Sequence, residues 1–105
     1  MNRSDPSTVA LRYVEACARG DVEAVAPLLA RDVVFQTPWG RIVGAQAMVK
    51  WLLKQLAHYR GAQVRKVFTD GSESCVIYNV ATSAHPAVEW VKVEAGRIGR
   101  VTVLA

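Results

Sequence analysis

One acidic residue in this chain stands where acids are rarely tolerated. Glu89 falls inside the alternating run Val88-Glu89-Trp90-Val91-Lys92-Val93-Glu94, in phase with Val91 and Val93. A two-residue hairpin at Ala84-His85 pairs Val80 with Glu89, Tyr78 with Val91 and Val76 with Val93, which surrounds the carboxyl with apolar neighbours. A carboxyl in such a place is costly to ionise, so its pKa rises. That suits it to act as a general acid or base, or as a neutral hydrogen-bond donor. The competing register slips by one residue, turning Glu89 to solvent and Trp90 inward.

Tyr13 is the second residue of interest. It lies with Val9 and Cys17 at intervals of four along a helical segment and points inward with Cys17. Its phenol can serve a ligand, or it can be a core tyrosine whose hydroxyl finds a backbone partner. Other chemistry is poorly provided for. His58 and His85 are far apart and read as solvent-facing, and no His, Cys, Asp or Glu spacing resembles a metal site. No Ser-His-Asp or Cys-His arrangement can be argued, and Gly-rich phosphate loops are absent. Cys17 and Cys75 are too few and too distant for a disulfide framework and read as small buried thiols. Neither a metal nor a cofactor is expected.

The elements that must position these groups are legible from their boundaries. Asp5 or Ser7 can cap a first helix opened by Pro6, running to about Ala18 and ended by Gly20. Asp21 can cap a second helix from Val22 to about Leu29, which Pro27 should kink or stop early. Val33 to Gln36 reads as a strand, Pro38-Trp39-Gly40 as a turn, and Arg41 to Val43 as a short extended return. Met48, Trp51, Leu52, Gln55 and Leu56 then form a helical stripe opposite Lys50 and Lys54, a third helix of about three turns.

The rest of the chain is β-rich. Gln63 to Thr69, Ser74 to Thr82, Val88 to Glu94 and Arg97 to Leu104 read as strands, with turns at Asp70-Gly71, Ala84-His85 and Ala95-Gly96. Helices first and strands after define an α+β layer fold, with helices on one face of a curved antiparallel sheet. The 105 residues make one domain, 1–105, with no repeat, linker or low-complexity segment, and the first half-dozen residues are expected to be loose.

Composition narrows the function classes. With 51% hydrophobic and 21% charged residues, the chain is globular. Its longest apolar stretch, Val22 to Leu29, is interrupted by Glu23 and Pro27 and is too short to span a bilayer. Met1 to Pro6 leads into the first amphipathic helix without a signal-type apolar run, so a cytoplasmic protein is expected. The net charge of +4 is scattered, with Arg65-Lys66 the one adjacent basic pair, and nucleic-acid binding is not expected.

Two segments carry a family resemblance. Arg12-Tyr13-Val14-Glu15-Ala16-Cys17-Ala18-Arg19-Gly20-Asp21 and Asp32-Val33-Val34-Phe35-Gln36-Thr37-Pro38-Trp39-Gly40 together resemble the opening of the SnoaL-like polyketide cyclases and ketosteroid-isomerase-like proteins, within the nuclear-transport-factor-2-like superfamily. The order of elements and Gly44 before the third helix agree over nearly the whole chain. The resemblance implies three helices on a strongly curved mixed, mainly antiparallel sheet, a cone-shaped, cystatin-like roll. Its open end admits a small apolar or polycyclic molecule, and members commonly form a homodimer through the outer sheet face. Here Trp90, Lys92, Arg100 and Thr102 would lie on that face.

In ketosteroid isomerases a helix tyrosine and a protonated acid on a strand donate hydrogen bonds to an enolate, while an aspartate moves the proton. The tyrosine position matches Tyr13, and the strand acid matches Glu89 if one turn is a residue shorter. The aspartate position is occupied by Thr37, whose hydroxyl is no base at neutral pH, so this chain is not expected to be a standard ketosteroid isomerase. The expectation is a pocket walled by Cys17, Phe35, Thr37, Trp51, Leu52, Tyr78, Val80, Val91, Val101 and Val103, with Glu89 and Tyr13 as catalytic candidates. Proton-transfer catalysis of an isomerase, cyclase or lyase type is one reading. A non-catalytic module that binds a hydrophobic ligand or dimerises is the other. Trp39, in its turn, either covers the pocket mouth, packs on a partner, or lies on its own surface.

Overall fold

In a computed structural model the chain is described from residue 5 to residue 104. The expectation of loose leading residues falls mostly on positions 1–4, outside the described residues. Helix α1 spans Pro6–Arg19, with Pro6 in its first turn and Gly20 closing it in the left-handed conformation at φ 74°. Asp5 stands at its N-cap position but makes no cap to the backbone. Its carboxylate instead accepts from the Ser7 hydroxyl at 2.5 Å. Helix α2 is only Val22–Val25, capped by Asp21, and the chain tightens into a 3-10 turn over Ala26–Leu28. Pro27 is the cause, since it lacks the N–H that would continue the helix.

Strands β1 (Leu29–Thr37) and β2 (Gly40–Val43) form a hairpin, helix α3 covers Ala45–Tyr59, and β3 (Gln63–Asp70), β4 (Glu73–Asn79), β5 (Ala87–Glu94) and β6 (Arg97–Leu104) complete the chain. Helix α3 has 15 residues, about four turns rather than three. The six strands make one sheet in the order β2-β1-β6-β5-β4-β3. Among the described residues only the β1 and β6 pair is parallel, so the sheet is mixed and mainly antiparallel. Irregularities in β1 between Leu29 and Val34, in β3 between Val64 and Lys66, and in β6 between Ile98 and Arg100 bend the strands. Helix α1 lies against β3 to β6, and α3 against β1 and β2. The core between them is built from Val9, Tyr13, Cys17, Phe35, Met48, Leu52, Val76, Val91 and Val101, all buried.

The β4 to β5 connection departs from the sequence-based expectation. β4 ends at Asn79 and β5 starts at Ala87, so the two-residue hairpin at Ala84-His85 is replaced by a longer connection through residues 80–86. Pro86 explains the shortening, because it has no N–H to give to an interior ladder. The register moves accordingly: Val76, not Val80, stands opposite Glu89, and Tyr78 pairs with Ala87, not Val91. The slide is an even number of residues, so it preserves the face on which each side chain lies. Glu89 is fully buried, whereas Trp90 is 43% exposed on the opposite face.

Candidate functional site

Glu89 is reached by three tyrosines from three elements. The Tyr13 hydroxyl on α1 donates to Oε1 at 2.6 Å. On Oε2 the Tyr59 hydroxyl, from the last turn of α3, donates at 2.9 Å, and the Tyr78 hydroxyl on β4 donates a second hydrogen bond. Geometry follows from the fold. Tyr13 belongs to the buried stripe of α1, Tyr78 shares the inner face of β4 with Val76, and Tyr59 lies two turns beyond Leu52 on the inner face of α3. Among the described residues no buried side-chain nitrogen or oxygen lacks a partner, so the cluster is satisfied in full.

Burial is the main influence on the ionisation of this cluster. It raises the Glu89 carboxyl above the usual carboxylate range, an effect opposed by the hydrogen bonds from Tyr13, Tyr78 and Tyr59 and by the nearby His58. The three phenols are pushed upward too, first by burial and then by the negative charge Glu89 would carry. Cys17 is likewise raised by burial and by Glu89, which makes it an inert thiol.

A cleft of about 490 Å³ opens beside this cluster. Tyr59 and Tyr78 line it while remaining almost inaccessible, so they form its floor. Trp51, Gln55 and His58 of α3 make one wall, Val80, Ser83 and His85 of the β4 to β5 connection another, and Thr37, Pro38 and Trp39 the rim. Trp39 is 86% exposed at that rim. The Trp51 ring leans on Phe35 at 4.9 Å between ring centres and so ties the wall to the core. Tyr59 stacks on Tyr78 at 6.1 Å and meets the His58 ring edge-on at 6.0 Å.

The expected pocket wall divides in two. Thr37, Trp51, Tyr78, Val80 and Val103 line the cleft. Cys17, Phe35, Leu52, Val91 and Val101 do not, because they belong to the closed core beneath it. The cause is volume: the Tyr13, Tyr59 and Tyr78 rings fill the space between α1, α3 and the sheet that an open cone would leave empty. Glu89 and Tyr13 do not face one another across a pocket but are bonded directly, behind the floor. Thr37 is no stand-in for a base either. Its hydroxyl donates to the Gly40 carbonyl at 3.0 Å and accepts from the Trp39 and Gly40 amides at 3.2 and 3.1 Å, which fastens the β1 to β2 turn.

Tyr59, Gln55 and His58 are the site residues that sequence reasoning missed. The signal for Tyr59 was present, since the stripe Leu52, Gln55, Leu56 continues to position 59 at the same spacing. Ending the third helix after three turns hid it. His58 is exposed as expected, but at the cleft wall. No group of three or more His, Cys, Asp or Glu among the described residues is arranged to hold a metal.

Helices before a mixed curved sheet, with an acid and a tyrosine meeting beneath an opening, define an α+β roll of the cystatin-like type. The sequence matches the SnoaL-like domain over residues 10–101, and the chain belongs to this family. Its fold is similar to that of a Kribbella flavida protein with 27% identity, covering 93% of this chain and 84% of that one at a TM-score of 0.84. A proposed polyketide cyclase from Sinorhizobium meliloti is 21% identical over 99% of this chain and 100% of its own, with a TM-score of 0.83. A proposed ketosteroid isomerase from Kribbella flavida is 22% identical over 93% of this chain and 75% of its own, at 0.79. No curated protein matches the sequence. No helix among the described residues is long and apolar enough to cross a membrane.

Proposed function

We propose that the chain binds a small, mostly apolar carbonyl or hydroxyl compound in the cleft and moves a proton on it, an isomerase or cyclase type of activity. The observation that carries this reading is a fully buried carboxyl with both oxygens held by phenols, two of which line the cleft. Glu89 reaches a ligand only through Tyr59 or Tyr78. With Glu89 protonated, a phenol gives its proton to a ligand oxygen and takes one from Glu89 in the same motion. His58 on the wall accepts a proton from the adjacent carbon, so the ligand goes from ketone to enol, leaving imidazolium and carboxylate. Reversal at a different carbon returns both protons. Tyr13, on the other carboxylate oxygen, positions Glu89 and adjusts its acidity without touching the ligand.

The polyketide cyclase and ketosteroid isomerase assignments of similar structures support the reaction type. The proposed setting is a cytoplasmic homodimer joined through the outer sheet face. There Phe68, Cys75, Trp90 and Thr102 follow one another across four strands, and Phe68 and Trp90 are 56% and 43% exposed.

The test is deuterium exchange at the carbons flanking the carbonyl in a panel of mono- to tetracyclic ketones in heavy water, followed by proton NMR. The native protein should speed exchange for at least one probe, and Glu89→Gln and Tyr78→Phe should each lower that rate by about 10²-fold or more. Binding without any exchange above the buffer rate refutes catalysis. It would leave the second reading, a hydrophobic-ligand-binding or dimerisation module, which the turn-bound hydroxyl of Thr37 favours.

A further inference from the structure

We propose that the protonation of Glu89 inverts the hydrogen-bonding polarity of the cleft floor. The ionised site takes a ligand that donates a hydrogen bond, such as an alcohol, phenol or enol, and the protonated site takes a carbonyl acceptor. The inference rests on the reading that the cleft holds a small molecule, and it adds which form of that molecule each state selects.

The argument is a proton inventory. A phenol has one hydroxyl proton and a lone pair to accept with. In the structure the hydroxyls of Tyr13, Tyr59 and Tyr78 all lie on the carboxylate oxygens of Glu89. When Glu89 is ionised it can only accept, so all three protons are committed to it. Tyr59 and Tyr78 then have nothing left to give a ligand, and only their oxygen lone pairs remain. A ligand carbonyl placed against them would be an acceptor facing acceptors, and leaving buried acceptors unpaired disfavours binding.

When Glu89 is protonated it becomes a donor to one phenol on Oε2, and that phenol is released to donate elsewhere. The floor now offers a proton to a carbonyl oxygen. This arrangement is opposite to a site whose donors stand free at all times, because here the donor appears only with an added proton.

The surroundings leave Glu89 as the group that decides the count. From α1 it faces Tyr13 and Cys17, from α3 Tyr59 and, at the cleft wall, His58, and from β4 Tyr78. β6 places Val103 opposite it. The three phenols and the thiol are all raised, which keeps them protonated while Glu89 titrates. The remaining titratable neighbour is His58. It stands on the wall and is not a partner in the hydrogen bonds that hold the floor.

The test compares 2-decalol and 2-decalone, which share a skeleton and do not ionise. Their affinities are measured by tryptophan fluorescence and calorimetry from about pH 5 to about pH 8, the range in which folded proteins hold most of their stability. The ratio of ketone to alcohol affinity should fall as pH rises, by up to about tenfold per pH unit for one linked proton. Reciprocally, saturation with decalone should raise the Glu89 titration midpoint in carbon-13 NMR and saturation with decalol should lower it. That measurement uses the native protein and needs no variant to fold. In Glu89→Gln the amide both donates and accepts at all pH values, so the ratio should be flat, while in His58→Gln the slope should persist.

If both probes bind and the ratio is independent of pH, the polarity inversion is wrong and the small-molecule reading stands. A slope lost in His58→Gln but kept in Glu89→Gln assigns the proton to the wall and also overturns the proposal. If neither probe nor any ketone of the panel binds, the small-molecule reading fails and this inference with it.

Discussion

Replacing Glu89 by glutamine should change how stability depends on pH, whatever constant offset the amide introduces. Burial raises the folded-state pKa of Glu89 from its ordinary 4.5. Below about 4.5 the carboxyl is protonated in both folded and unfolded chains, and its contribution to stability is fully present. Between that point and the folded-state pKa, the unfolded chain has given up a proton that the folded chain still holds. Stability must therefore fall as pH rises through this window, and the loss is complete above the folded pKa.

The steepest slope for one proton is about 1.4 kcal/mol per pH unit. In a domain of this size about 1 kcal/mol moves the melting temperature by roughly 4–8 °C, so the slope is roughly 6–11 °C per pH unit at its steepest. The assay is a set of thermal melts of the native protein and Glu89→Gln in matched buffers from about pH 4 to about pH 8, with urea melts for the free energies. The other titrating groups are common to both proteins, so the difference between the curves isolates Glu89. The variant should gain on the native protein as pH rises from about 4.5 to the folded-state pKa of Glu89, and the difference should then level off. Parallel curves, or a variant that loses ground as pH rises, would refute the claim that desolvation outweighs the three phenolic hydrogen bonds.

Three further outcomes are expected. Tyr13→Phe removes a donor from a buried carboxyl and should cost about 1.5–3 kcal/mol in urea melts. Because the lost bond favours the ionised form, the same variant should move the Glu89 titration midpoint further upward in carbon-13 NMR. Thr37→Val should cost about 1–2 kcal/mol through loss of its turn hydrogen bonds, and the pH profile of exchange in any reactive ketone should keep its shape, since Thr37 moves no proton. Trp39→Ala should leave stability within about 0.5 kcal/mol because the side chain is 86% exposed, yet weaken decalone or decalol binding if the rim contacts the ligand. Unchanged affinity would assign Trp39 to the surface alone.

Much of the fold was legible because its signals are local. Pro6 and Gly20 mark the ends of α1 by what their backbones can and cannot adopt, and Pro27 ends α2 for the same kind of reason. Alternation along Val88 to Glu94 placed Glu89 and Trp90 on opposite faces correctly even though the pairing partners were wrong. Parity is a property of one strand, whereas register depends on how long the connection to its neighbour is. Pro86 sets that length, and a hairpin count that passes over its missing N–H puts Val80 where Val76 belongs.

By itself the sequence determined an α+β chain with a tyrosine and an acid turned toward the same interior. Periodicity and caps act over a few residues and need no knowledge of the rest. Only the tertiary structure decided that Tyr13 and Glu89 are bonded to each other rather than separated by a ligand. It also brought Tyr59 and Tyr78 to the second carboxylate oxygen and left the cleft on their far side. Those outcomes depend on how three large rings share the space between two helices and a bent sheet. That volume is set by every element at once and is written in no single segment.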